Sequence, residues 1–125
     1  MIDTRIPALL IKRKYAELIL SGEKTWELRK SYTHVRGPIY LLSGNYILGR
    51  VKIVGVLGPF TPEELREKYE YHKASYEGFL AKYAKRIYAW ILKDPVRFEK
   101  PIKVRVPRGA QLWVRNYEVV EIERG

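Results

Sequence analysis

The sequence predicts an α+β fold, a β-barrel of about seven or eight mostly antiparallel strands that carries two or three short helices. Short β-rich segments recur along the chain between glycine and proline residues, which is typical of a barrel rather than of alternating strands and helices. Helical periodicity is confined to short stretches between those segments. With 125 residues, 46% of them hydrophobic and 30% charged, the chain is predicted to form a single domain over residues 1–125.

The predicted strands share runs of β-branched, aromatic and aliphatic residues that end at glycine, proline or asparagine. In chain order they cover residues 6–11, 24–29, 38–42, 47–57, 86–92, 96–106, 111–114 and 118–122. The run 47–57 is long, and Gly49 and Gly55 within it predict bends that help a sheet close into a barrel. In 96–106 apolar and charged residues mostly alternate, which predicts a half-buried strand with a basic outer face, interrupted at Pro101.

Three short helices are predicted between the strands, over residues 13–21, 61–71 and 76–84. The first has apolar residues at helical spacing and is followed by Gly22, a residue type that commonly ends a helix. The second begins with a capping box, in which Thr61 precedes Pro62 and Glu64 is the third helical residue.

The composition excludes several kinds of site. The chain has no cysteine and two histidines, His34 and His72, so disulfides and thiolate metal sites are excluded, and no metal or cofactor is predicted. There is no apolar run long enough for a membrane helix, and the first residues lack the order of a secretory signal. We therefore expect a cytoplasmic protein without membrane contact. Few thermolabile residues and many Lys, Arg and Glu residues give a thermophile-like composition.

The chain is strongly basic, and its positive charge is concentrated in two regions. Its 24 Lys and Arg residues exceed its 14 Asp and Glu residues by ten. Residues 82–108 hold nine cations against two acids, and residues 5–36 hold eight against three. This segregation favours a polyanion such as nucleic acid as the partner, and a generic cation-rich surface is the alternative. The candidate basic surface comprises Lys12, Arg13, Lys14, Arg97, Lys103, Arg105 and Arg108.

The segment 22–29 mixes charged and aromatic residues in a way that core strands avoid. With a two-residue period, Lys24 and Trp26 share one face of the predicted strand, and Glu27 and Arg29 share the other. The Arg29 guanidinium suits a phosphate or a base edge, Glu27 suits an exocyclic amino group, and Trp26 suits an unpaired base. The structural alternative is that Glu27 and Arg29 form a surface ion pair and Trp26 belongs to the core. The residues alone leave both interpretations open.

One stretch closely resembles the signature of the ASCH family, the domain named after the activating signal cointegrator. It runs from Lys14 to Arg29 and reads KYAELILSGEKTWELR. Segments similar to later parts of the family follow in order at 39–43, 47–51, 88–90, 100–101 and 111–113. The resemblance implies a PUA-like barrel with a cleft beneath the first helix that binds RNA or a nucleotide. Whether the partner is RNA or DNA stays open at the level of sequence. The implied ligand-binding residues are Lys24, Trp26, Glu27, Arg29 and Ser43, and Gln111 is a further candidate at the rim.

The resemblance also raises an enzymatic alternative. Some bacterial relatives with a similar Gly-x-Lys element are amidohydrolases that remove the acetyl group from acetylated cytidine, and other relatives are ribonucleases. In the amidohydrolases a threonine nucleophile stands three residues after the lysine, where this sequence has Glu27. The residues of an enzyme would be Lys24, Thr25 and Glu27, but the missing hydroxyl favours recognition over chemistry.

Three functions therefore stay open at the level of sequence. The leading prediction is a module that binds RNA or a nucleotide. The second is a small hydrolase that acts on a modified nucleoside or on RNA. The third is a protein-interaction domain in transcription or translation.

Overall fold

Seven strands, three α-helices and a 3₁₀ turn form the structure, a computed structural model that describes residues 2–82 and 86–120. In chain order they are β1 (Ala8–Leu10), α1 (Arg13–Leu20), β2 (Trp26–Arg29), β3 (Gly37–Ser43), β4 (Tyr46–Phe60), α2 (Pro62–Arg66), α3 (Tyr69–His72), the 3₁₀ turn (Leu80–Lys82), β5 (Ile87–Arg105), β6 (Trp113–Val114) and β7 (Glu118–Val119).

The strands form one mixed, curled sheet in the order β2-β5-β4-β3-β1-β6, with β7 paired to β5. Every pairing among the described strands is antiparallel except that of β1 with β3. The sheet makes a half-barrel whose two ends, β2 and β6, are not paired with each other in the described part of the chain. The predicted α+β class with mostly antiparallel strands is confirmed.

Strands β4 and β5 are long, and irregularities in their pairing bend them. Their register shifts around Gly49 and again before Gly55, where the sequence predicts bends. Residues 86–92 and 96–106 are not two separate strands, as predicted, because both belong to the single strand β5. Pro101 lies within one of these register shifts, where its missing amide is tolerated. The proline therefore disturbs the ladder without ending the strand.

The predicted end of the first helix and the predicted start of the second are both confirmed. Helix α1 is followed by Gly22, which has a φ of 86°, a conformation that favours glycine. Helix α2 begins with the predicted capping box, in which the Glu64 amide donates to the Thr61 hydroxyl at 3.2 Å. The Thr61 amide in turn donates to the Glu64 carboxylate at 3.0 Å.

The rest of the helical prediction is wrong. The predicted helix 61–71 is divided into α2 and α3, and the predicted helix 76–84 is reduced to the 3₁₀ turn, with residues 83–85 outside the described range. The amide of Gly78 donates to the Ser75 hydroxyl at 3.2 Å, a local bond that competes with helical hydrogen bonding. A glycine inside a helix also costs about 1 kcal/mol relative to alanine.

Three apolar clusters hold these elements together. The first packs α1 against the sheet through Ala16 and Ile19, and the second surrounds Tyr117 near the other end of the sheet. The third joins the segment that carries α2 and α3 to β2 and β5 through Leu65 and Leu80. No helix in the described residues is long and apolar enough to cross a membrane.

Candidate functional site

A cleft opens between the start of α1 and β2, on the side where β2 faces β1. Its volume is about 220 Å³, and a smaller space of about 30 Å³ lies beside it, against Lys24. The residues that line the cleft are Leu10, Ile11, Lys12, Tyr15, Glu27, Leu28, Arg29 and Phe79. The cleft thus joins the first helix, two strands and a distant loop, and it contains two of the predicted ligand-binding residues.

Glu27 is the centre of a buried ionic cluster in the cleft wall. Only 8% of its side chain is exposed, so the Glu27–Arg29 pair is not a surface ion pair. Its Oε2 atom accepts from Nε of Arg29 at 2.8 Å, and Nη2 of Arg29 also lies 2.8 Å away. Its Oε1 atom lies 3.4 Å from Nζ of Lys24. Both basic residues predicted for the site therefore converge on one carboxylate.

Lys24 is almost completely buried, with 2% of its side chain exposed. Its Nζ donates to the carbonyls of Trp26 at 2.7 Å and His72 at 2.6 Å, in addition to facing Glu27. Three acceptors require three N–H groups, so this geometry fits the ammonium form. Burial lowers the pKa of Lys24, and the charge of Glu27 opposes that shift.

The contact between Lys24 and Glu27 corrects the predicted alternation of the strand. The two-residue period placed these side chains on opposite faces, but β2 begins only at Trp26. Lys24 belongs to the turn after α1, where its amide donates to the carbonyl of Leu18 at 3.0 Å. The strand period does not apply to that turn, and the Lys24 side chain folds back toward Glu27.

Arg29 connects the ionic cluster to β1. Its Nη2 atom donates to the carbonyl of Leu10 at 3.0 Å, and the amide of Leu10 donates to the carbonyl of Leu112 at 2.9 Å. The Arg29 guanidinium also lies 5.8 Å from the ring of Trp90, which stacks on Trp113 at 5.7 Å. These contacts link the two ends of the half-barrel, which no ladder between the described strands joins.

The rest of the cleft is aromatic and apolar, with a basic mouth. Tyr15 and Phe79 have ring centroids 6.1 Å apart, and Nζ of Lys24 lies 5.2 Å from the Tyr15 ring centroid. Burial, together with the charge of Glu27, raises the pKa of Tyr15. At the mouth, Lys12 precedes α1 without capping it, and the first turn carries no acidic residue. The positive end of this helix is thus left uncompensated.

Besides Lys24, which borders the smaller space, four predicted residues lie outside the cleft lining. Trp26 stacks on Tyr71 at 4.8 Å and on Phe60 at 5.9 Å, as part of the third apolar cluster. The backbone of Thr25 bonds to Tyr71 and Leu92. Ser43 ends β3 opposite Tyr46, and Gln111 is exposed in the loop before β6.

The cations of α1 adjoin the cleft. Lys12 lines it, Arg13 lies 3.7 Å from Glu17, and Nζ of Lys14 lies 5.5 Å from the Tyr15 ring. Arg97 forms a second ion pair with Glu17. Arg97 therefore lies with the cations at the start of α1 and apart from the other predicted cations of β5.

The other predicted basic residues form a separate group at the far end of β5. Lys103 and Arg105 are exposed on that strand, and Arg105 lies 3.5 Å from Glu118. Arg108 is exposed in the turn that follows. The predicted basic surface is thus divided into a group beside the cleft and a group at the other end of the sheet.

Several contributors to the site carry no signal in the sequence. The carbonyls of Leu10 and His72 are backbone groups, and Phe79 comes from a loop far from the signature segment. The His72 ring is itself buried: Nδ1 accepts from the Ala74 amide at 2.9 Å, so Nε2 carries the proton given to the Leu65 carbonyl at 2.6 Å. Within the described residues, no group of three or more His, Asp or Glu side chains is placed to hold a metal ion.

Comparison with known proteins agrees with this architecture. The family model for the ASCH domain matches residues 9–102. The crystal structure of ASCH from Zymomonas mobilis has a TM-score of 0.67 at 18% sequence identity, covering 81% of this chain and 75% of that one. Structures of two single-residue variants of that protein have the same identity. One variant, with a tyrosine replaced by phenylalanine, gives a TM-score of 0.66 and covers 79% of this chain and 76% of its own. The other, with a serine replaced by alanine, gives a TM-score of 0.65 and covers 82% of this chain and 77% of its own. Among curated proteins, none matches the chain.

Proposed function

The chain belongs to the ASCH domain family, and from this premise we propose that it binds single-stranded RNA or a nucleotide through the cleft between α1 and β2. The observation that carries the proposal is the ionic cluster in the cleft wall, in which Lys24 and Glu27 are buried and Arg29 is partly exposed. Burying charges costs several kcal/mol per ion, and apolar residues of similar size often serve stability as well or better. Such a cluster is therefore better explained by recognition of a polar ligand than by stability.

The cluster retains hydrogen-bonding capacity on its cleft side. Oε1 of Glu27 is contacted by Lys24 at 3.4 Å, and it has a further lone pair for a ligand N–H. Nη1 of Arg29 has no acceptor among the described residues, since the contacts of Arg29 use Nε and Nη2. One acceptor and one charged donor side by side match the edge of a nucleobase.

The mouth of the cleft supports a phosphate next to that base. Lys12 and the uncapped start of α1 provide positive charge there without an acidic residue in the first helical turn. Helix amino termini bind anions through free amides and the helix dipole. The volume of about 220 Å³ is below the range of about 300–1,000 Å³ for drug-sized ligands, so we propose that the cleft takes one base or sugar, not a whole oligonucleotide.

The lining supports recognition rather than catalysis. It contains no serine, threonine or cysteine, and Thr25 lies outside it. Lys24 is engaged by three acceptors, so it is not free to act as a base toward a nucleophile.

The test is titration of short single-stranded RNAs and mononucleotides by fluorescence anisotropy or calorimetry. Glu27→Gln keeps the shape of the side chain but removes its charge, and Arg29→Ala removes the free donor. Each variant should weaken binding at least about ten-fold, as expected for loss of a charge-assisted hydrogen bond. Arg5→Ala, which removes an exposed arginine paired with Asp3, is the matched control. If Glu27→Gln and Arg29→Ala are correctly folded and bind as tightly as the control, the proposal is wrong.

A further inference from the structure

Beside the cleft lies a group of exposed aromatic and cationic side chains that the function proposed above does not use. We call it the aromatic–arginine patch, and it consists of Tyr32, His34, Arg36, Arg86 and Tyr88. Tyr32 is 46% exposed, although it contacts three other side chains of the patch. A contiguous group of exposed aromatic side chains, unlike an isolated one, marks a candidate interaction site.

The rings of the patch are held in place by contacts within it. The ring centroid of Tyr32 lies 4.9 Å from that of His34 and 5.8 Å from that of Tyr88, the latter at an interplanar angle of 89°. Nη2 of Arg36 donates to the Tyr32 hydroxyl at 3.0 Å, and Nη2 of Arg86 donates to the Tyr88 hydroxyl at 3.1 Å. Fixed side chains lose little conformational freedom on binding, so the patch is preorganised.

The charge of the patch is not neutralised by its surroundings. Nη1 of Arg36 donates to the backbone carbonyls of Thr33 at 2.8 Å and Val35 at 2.9 Å, which are neutral acceptors. Neither Arg36 nor Arg86 is in an ion pair with a carboxylate of the residues that the structure describes. Two uncompensated guanidinium groups therefore lie beside exposed aromatic rings.

The patch is continuous with the cleft through one pair of residues. Tyr88 on β5 is the direct partner of Arg29 on β2 in the antiparallel ladder. Residues directly opposite each other in such a ladder point to the same face of the sheet, with Cα atoms about 4.5–5.5 Å apart. A chain that leaves the cleft past Arg29 therefore meets Tyr88 next, and Tyr32 lies against Tyr88.

We propose that the aromatic–arginine patch is a second binding subsite, on which bases of a single-stranded nucleic acid stack when a neighbouring nucleotide occupies the cleft. The inference rests on the proposed function, because the cleft sets the position of the strand. Sites for single-stranded nucleic acid combine aromatic rings that stack on bases with cations that follow the backbone. An acidic peptide would use the two arginines but would have no reason to require the exposed face of Tyr32.

Tyr32→Ala tests the patch directly, with three ligands compared in one assay. These are a mononucleotide, a hexanucleotide RNA, and a hexanucleotide of the same charge that keeps one base and is abasic at every other position. Tyr32→Ala should weaken binding of the intact hexanucleotide roughly ten-fold, the typical cost of losing one stacked base. It should leave mononucleotide binding within about two-fold, and abasic hexanucleotide binding should be weak and insensitive to the substitution.

Two further variants control for the Tyr32 hydroxyl and for the loss of an exposed tyrosine elsewhere on the protein. Tyr32→Phe keeps the ring and removes only the hydroxyl that accepts from Arg36, so it should retain most of the hexanucleotide affinity. Tyr46→Ala removes a tyrosine of similar exposure, 42%, at the opposite end of the β4–β5 pair, and it should bind like the unmodified protein. Thermal unfolding of each variant establishes that a loss of affinity is not a loss of structure.

The two proposals fail in distinguishable ways. If Glu27→Gln weakens hexanucleotide binding and folded Tyr32→Ala does not, the patch is overturned and the cleft stands. If Tyr32→Ala weakens binding and Glu27→Gln does not, the cleft is overturned as the primary site. If the abasic hexanucleotide binds as tightly as the intact one, or if polyglutamate competes at equal charge, the patch is an anion site for any acidic partner and stacking is refuted.

Discussion

The ammonium of Lys24 donates to the carbonyl of His72 at 2.6 Å, although the two residues are 48 positions apart in the chain. This bond ties the turn after α1 to the last residue of α3, in the segment between β4 and β5. The hydrogen bonds of the buried His72 ring and the third apolar cluster hold that segment in place. The geometry of the cleft wall thus depends on α2 and α3, although no side chain of these two helices lines the cleft.

Removal of the Lys24 ammonium should destabilise the fold. Lys24→Met leaves the carbonyls of Trp26 and His72 without their donor and the Glu27 carboxylate with Arg29 alone, and breaking a buried ion pair costs about 3–5 kcal/mol. Urea unfolding measures the change in free energy. Lys103→Met, on an exposed part of β5, should stay within about 0.5 kcal/mol of the unmodified protein. Equal stability of the two variants would show that the buried cluster does not support the fold.

The protein should lose stability as the pH falls below the ordinary pKa of histidine because His72 is buried in its neutral form. Burial lowers the pKa of His72 from its ordinary value of 6.5. Below pH 6.5 the unfolded chain therefore takes up a proton that the folded protein does not bind, and unfolding becomes more favourable. His72→Asn retains an acceptor near Nδ1 but has no titrating ring. Compared with the unmodified protein, this variant should have a lower unfolding free energy at pH 8 and should lose less of it between pH 7 and pH 5. Parallel curves of unfolding free energy against pH for the two proteins would contradict the assignment.

Two glycines of β4 should respond oppositely to alanine. A Cβ on Gly49 would overlap the Val96 carbonyl oxygen of β5 and the Leu20 side chain of α1. Gly49→Ala should therefore cost about 1–3 kcal/mol through overpacking. Gly55 has nothing within 4 Å of the corresponding position, so Gly55→Ala should be neutral or stabilise by up to about 1 kcal/mol. Thermal unfolding of both variants checks the contrast, and a stable Gly49→Ala protein would mean that the β5 backbone at Val96 and the Leu20 side chain can both shift to make room.

The salt dependence of binding should reveal whether a long strand crosses the basic group at the far end of β5. If RNA contacts Lys103, Lys103→Ala should reduce the slope of log affinity against log salt by about one unit for a long RNA and leave a mononucleotide unaffected. Lys68→Ala, which removes an exposed lysine between α2 and α3, should not change the slope. The same slope for the Lys103 variant and the unmodified protein would confine the interaction to the neighbourhood of the cleft.

The features that the sequence predicts correctly are those set by local chemistry. The capping box at Thr61 and the glycine after α1 depend on residues within one turn, and both are present. Lys24, Glu27 and Arg29 lie together in the cleft wall, and their role as ligand-binding residues stays a prediction. Their arrangement was predicted incorrectly because Lys24 precedes β2, so its side chain follows a turn rather than the alternation of a strand.

The features that the sequence does not predict arise from long-range backbone contacts. Nothing near Leu10 or His72 marks their carbonyls as acceptors for Arg29 and Lys24. The segment 76–84 has apolar residues at plausible helical spacing, but in its described part the Gly78 amide donates to the Ser75 hydroxyl and the Leu80 amide to the Ser75 carbonyl, so residues 76–79 form a turn. Such outcomes depend on which distant elements meet, and a pattern within a window of a few residues carries no information about that.

The backbone of Leu10 has a consequence for how the protein is made. Its carbonyl accepts from Arg29 of the cleft, and its amide donates to Leu112, near the far end of the chain. During synthesis from the amino terminus, this wall of the cleft lacks its partner until Leu112 has left the ribosome. A nascent chain that already displays the whole signature segment therefore still lacks the contact between Leu10 and Leu112 that completes this wall of the cleft.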